Sequence, residues 1–116
     1  MTTPPPSGLN SPQGDHQIPL ADAAAMTARF RSRNAGATRG WLFDRRAFDA
    51  LLAQPGCAGI RLYRGIKDDG SDQLVVVGTD LNGNDLAPLS SKGRALVMEL
   101  GWPCPPICGA PSALSG

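Results

Sequence analysis

Residues 57–85, CAGIRLYRGIKDDGSDQLVVVGTDLNGND, set the period of the fold. Ile60, Leu62 and Ile66 alternate with Arg61, Tyr63 and Lys67, the pattern of a half-buried strand. DDGSD then supplies turn residues. In QLVVVGTD the run Leu74–Val77 is apolar on both faces, as in a strand covered from two sides. Asn82-Gly83 closes the stretch with a strong turn signal. The expected unit is an antiparallel hairpin. Two strands do not make a stable sheet alone, so other elements must cover it.

Working outward, SSKGRALVMELGW (residues 90–102) is ambiguous. Leu96, Met98 and Leu100 alternate as in a strand, whereas Ala, Leu, Met and Glu favour a helix, and a short helix is the expectation. Upstream, PLADAAAMTARFRSRN predicts a helix opened by Pro19, with Asp22 in its first turn and an apolar stripe of Ala23, Met26 and Phe30. Asn34 and Gly36 stop it. A second helix follows, with Asp44 as N-cap, Phe48, Leu51 and Leu52 as its apolar stripe, Trp41 and Phe43 as staples, and Pro55-Gly56 as terminator. The fold class expected is α+β: two N-terminal helices packed on an antiparallel β-meander of two or three strands, ending in a Pro/Cys-rich extended strip.

The chain has 116 residues, one domain at most. Residues 1–17 are rich in Pro, Ser, Gly and Thr and offer little to bury, so a disordered tail is expected there. Residues 18–108 form the single small domain and residues 109–116 a second flexible tail. A net charge of +1 gives no general attraction to nucleic acid or to an anionic membrane. No apolar run is long enough to span a bilayer. With no basic-then-apolar leader at the front, a bacterial cytoplasmic location with reduced thiols is expected.

Three cysteines are the first candidates for chemistry. Cys104-Pro-Pro-Ile-Cys108 is one residue longer than a Cys-x-x-Cys motif. In all-trans polyproline II its two Cα atoms would stand about 12 Å apart. A disulfide needs about 4.4–6.8 Å, so bridging requires a turn at Pro106-Ile107 or a cis bond at a proline. A zinc site would need Cys57 with Cys104 and Cys108 plus a fourth ligand, and the one histidine, His16, lies in the front tail. The reading adopted is free, buried thiols flanking a docked strip, with no metal and no cofactor. Asp80-Leu-Asn82-Gly-Asn84-Asp85 fails as a calcium loop, because Asp85 and Ser91 stand where such a loop needs Gly and Glu. Arg29, Arg31, Arg33, Arg39, Arg45 and Arg46 cluster within eighteen residues. An anion site on Arg29, Arg33, Arg45 and Arg46 is the alternative to a solvated helical pair. No phosphate loop, nucleophile elbow or Cys/His pair within the domain argues for an enzyme, and no catalytic residue is assigned.

LLAQPGCAGIRLYRG, the Asn-Gly turn and PCPPIC together resemble a group of small uncharacterised bacterial proteins in which a helix runs into a Q-P-G-C-x-G-I-R strand and the chain ends in C-P-P-x-C. The likeness covers residues 19–108. No activity comes with it, but it implies that Cys57, Cys104 and Cys108 act as one constellation.

The functional expectation is a non-catalytic assembly or protein-interaction module whose partner is itself or another protein. The valine strand is apolar on both faces and two helices cover only one, so Val75 and Val77 on the open face, with Trp102 and Ile107 on the strip, are the expected interaction residues. A thiol or metal module on the three cysteines is the runner-up.

Overall fold

The computed structural model describes residues 16–115. The front-tail expectation therefore lies almost wholly outside the described residues. Among the described residues the chain is α+β, with two helices and two antiparallel sheets of two and three strands. Where one domain is expected, the chain divides into two compact units: residues 43–100, and residues 16–42 with 101–115.

In the first unit, helix α2 (Arg45–Leu52) begins as its sequence requires. The Asp44 carboxylate accepts from the Arg46 backbone N–H at 2.9 Å, satisfying one of the free donors of the first turn. Phe43 packs edge-to-face on Phe48, ring centres 6.0 Å apart, which is a hydrophobic staple across the cap. Strands β2 (Gly59–Ile66) and β3 (Asp72–Thr79) pair in antiparallel register from Gly59↔Thr79 to Ile66↔Asp72. Gly70 in the connecting turn has φ +86°, which is why DDGSD needs a glycine there.

The segment 90–102 is not a helix. Two of its residues form β4 (Val97–Met98), which pairs with Val76 and Val77 on the far edge of β3, and of the alternating set Met98 alone lies in it. β3 is thus the central strand, and pairing with it overrides helix propensity there. Helix α2 rests on β2 and β3. Leu51, Val76 and Val77 are the fully buried apolar side chains among the described residues. Gly78 shows how close this packing is: a Cβ there would meet Cys57 Sγ and Gln54 Nε2, each at 2.9 Å. Val76 and Val77 point to opposite faces, so β3 is covered on both faces at this level. That corrects the expected open valine face, since Val77 is only 3% exposed.

The turn after β3 is held by its own carboxylate. Asp80 accepts from the backbone N–H groups of Asn82 and Asn84, both at 2.9 Å, so its oxygens serve the turn. Asp85 then lies across β2, accepting from Arg61 at 2.6 Å and from the Tyr63 hydroxyl at 2.5 Å. The Arg61 guanidinium is raised above its ordinary value, chiefly by the hydrogen bond to Asp85.

Three cap and turn carboxylates are held below the ordinary range. The Arg46 side chain does this for Asp44, the Ser71 hydroxyl for Asp69 and the Asn84 backbone N–H for Asp80. A lowered folded value favours the ionised form, so this contribution is complete above the unfolded value of about 3.9 and is lost as pH falls through the folded values. Stability is expected to be flat in these groups above about pH 5 and to fall from about pH 4 downward. Acid titration followed by circular dichroism checks it, and the triple substitution Asp44→Asn, Asp69→Asn, Asp80→Asn should flatten the acid limb.

The second unit holds helix α1 (Leu20–Arg33) and strands β1 (Gly40–Leu42) and β5 (Trp102–Cys104). The two helices are therefore not a paired N-terminal layer on one sheet, because β1 lies between them in the chain and α1 belongs to the other unit. Pro19 sits at the N-cap of α1, and Asn34 ends it with both its backbone and side-chain N–H groups on the Phe30 carbonyl. No residue of α1 is fully buried, and Met26 of the expected stripe is 58% exposed. β1 and β5 pair antiparallel, Gly40↔Cys104, Trp41↔Pro103 and Leu42↔Trp102. Trp41 is thus a strand residue, and Phe43 alone is the staple.

Candidate functional site

The C-terminal strip is folded back. Cys104-Pro105 and Pro105-Pro106 are cis, and the Ile107 backbone N–H returns to the Pro103 carbonyl at 2.8 Å. The Cα atoms of Cys104 and Cys108 stand 4.7 Å apart, and the two residues form a disulfide. This corrects the reading of free thiols on an extended strip: the turn that bridging requires is present. Cys57 remains a free, half-buried thiol in the first unit, its Sγ 3.3 Å from the Gly59 carbonyl oxygen. The bridge takes up two of the three cysteines of the expected constellation, and no metal-binding group of three side chains occurs among the described residues. Thiol titration of the native protein should give one reactive group per chain, slowed by partial burial, and three after unfolding with reductant. A native count of three would remove the bridge.

The four arginines of the expected anion site are divided between the two units. Arg45 pairs with Asp49 at 3.5 Å and Arg46 with Asp44 at 3.0 Å, in the first unit. Arg29 and Arg33 project from α1 as exposed side chains. Exposed pairs of this kind contribute little.

Two other arginines do converge. Arg31 on α1 and Arg39 just before β1 flank a cavity of about 220 Å³ in the second unit. Its walls come from Thr27 and Phe30 on α1, Gly40 on β1, Cys104 on β5, and Leu114 and Ser115 near the C-terminus. β5 positions the cavity floor, and the Arg39 backbone N–H donates to the Cys104 carbonyl at 2.6 Å. Arg31 donates to the Leu114 carbonyl at 2.8 Å and Arg39 to the Ser115 carbonyl at 3.3 Å. The groove therefore combines an apolar floor with two guanidinium donors aimed at main-chain carbonyls. Leu114 and Ser115, expected in the flexible tail, are part of it. Sequence gives Arg31 and Arg39 only as members of a run; their selection depends on the return of a segment about eighty residues later, which has no local signal.

Of the expected interaction residues, Val77 is buried and Val75 half-buried, while Trp102 and Ile107 are 50% and 47% exposed. Among the described residues, no helix is long and apolar enough to cross a membrane. No protein family, curated protein or solved structure matches the chain.

Proposed function

We propose that this chain is a non-catalytic protein-interaction module that associates with itself. The observation that supports it is the β1–β5 ribbon. Leu42 and Trp102 are directly opposite on its ladder, and both are about half exposed, at 54% and 50%. Opposed residues of an antiparallel pair project from the same face, so the two make one apolar contact surface. Ile107 adds a further exposed apolar side chain just beyond β5. The surface is on Trp102 and Ile107 rather than on Val75 and Val77.

The resemblance to a small bacterial group with a C-P-P-x-C ending fits this reading, since that motif forms the turn beside the ribbon. A cytoplasmic setting is the weaker part of it, because a disulfide argues for an oxidising compartment. Light scattering over a concentration series tests the function. The mean mass should rise with concentration toward a multiple of the 12.1 kDa chain. A constant monomer mass at high concentration, with a folded spectrum, rejects self-association.

A further inference from the structure

We infer that the wall of the Arg31/Arg39 groove is exchangeable: the C-terminal segment that closes it in cis when the protein is alone is supplied by a second copy of this chain in the assembled form. The inference rests on the self-association reading and names the segment exchanged.

Leu114 and Ser115 already wall the groove in cis, and both charged contacts go to their main-chain carbonyls. Such contacts ask for a pair of carbonyls in a set conformation and one aliphatic side chain beside them. The segment makes that conformation itself. The Ser112 hydroxyl accepts from the backbone N–H groups of Leu114 and Ser115, at 3.1 and 3.3 Å, and the Ser112 N–H donates to the Ser115 hydroxyl at 2.9 Å. A turn closed by its own serines is carried intact wherever the segment goes, so it loses little entropy on docking.

The tether permits exchange. Gly109, at φ +70°, Ala110 and Pro111 join the segment to Cys108, and among the described residues no backbone–backbone hydrogen bond ties 109–115 to the rest of the chain. Two side-chain hydrogen bonds and Leu114 hold it, and Leu114 is still 44% exposed beside the cavity. Identical contacts are available to the segment of a neighbour. Reciprocal exchange gives a closed two-fold pair. A short tether gives an effective concentration on the order of millimolar, so the cis form dominates in dilute solution and exchange grows with concentration.

The experiment uses the full chain and a fluorescent synthetic peptide of residues 109–116. Leu114→Asp places a charge in the apolar wall and displaces the chain's own segment from it. Anisotropy titration should show the peptide binding the Leu114→Asp chain at least tenfold tighter than the unsubstituted chain, whose own segment competes. Adding Arg39→Ala or Arg31→Ala in the Leu114→Asp background should remove at least tenfold of that affinity. Equal binding to both chains, or binding indifferent to the arginines, overturns the inference. Circular dichroism checks the fold, and Leu114→Ser serves if Leu114→Asp unfolds. Light scattering of the unsubstituted chain reads assembly separately. Oligomers without peptide binding sink the groove alone; peptide binding by a strict monomer sinks the self-association reading and the second-copy occupant.

Discussion

Leu51→Ala is expected to destabilise the protein by about 3 kcal/mol, with a fall of more than 10 °C in the thermal midpoint. Leu51 is fully buried at the end of α2, where the helix rests on β2 and β3. Truncation loses the transfer free energy of the removed atoms and leaves a cavity that the surroundings fill only in part. Close packing around Gly78, with Cys57 and Gln54 against its backbone, limits that collapse. Gln54 is itself tied to the Leu51 carbonyl at 3.0 Å, which fixes the helix end. The neighbouring Leu52 is 51% exposed and provides the control. Leu52→Ala should change stability by no more than about 0.5 kcal/mol. Thermal melts of both variants by circular dichroism settle the contrast, and equal losses would mean that α2 presents a different face to the sheet.

The contrast also marks what sequence can convey. Leu51 and Leu52 are neighbours of the same type, and the 3.6-residue period places both on the apolar stripe. Only the register of α2 on the sheet separates them. Local signals were otherwise reliable in this part of the chain. The Asp44 cap, the Phe43 staple and the two hairpin strands lie where sequence puts them, because each depends on residues within a few positions of one another. Burial did not follow alternation so closely. Leu62 and Ile66 alternate correctly on β2 yet are 51% and 76% exposed. Pattern gives the face of a strand, and coverage depends on what the rest of the chain can reach.

Non-local features were not legible. β4 is two residues long and is made by its pairing with β3, so helix propensity in ALVMEL misleads. The β1–β5 ribbon joins residues sixty or more positions apart. Nothing in GWL announces its partner, and WPC contains a proline, which lowers strand expectation. The bridge is an intermediate case. Sequence states the condition for it, a turn or a cis bond between Cys104 and Cys108, but not that the condition is met. The groove depends on several non-local features at once, since the ribbon, the bridged Cys104 and residues 114–115 each contribute to its lining.

Trp102→Ala is expected to weaken self-association by about 2 kcal/mol or more, roughly thirtyfold in dissociation constant. The side chain is half exposed, so the folded monomer should tolerate the loss with a change in stability below about 1 kcal/mol. A large aromatic group on a short ribbon is a strong anchor because it buries much area at the cost of two torsions. Leu42 lies directly opposite and shares the contact. Leu42→Ala should therefore have a smaller effect, and the double variant should lose less than the sum, since neighbouring contacts are not additive. Charge should matter little to this contact. The exposed ion pairs of Arg45 with Asp49 and Arg46 with Asp44 are already made within the chain, so salt should alter the association constant only weakly. Light scattering across a concentration series, at low and high salt, reads all of these. Undiminished association in Trp102→Ala, or association abolished by salt, would move the interface off the ribbon and onto the charged surface.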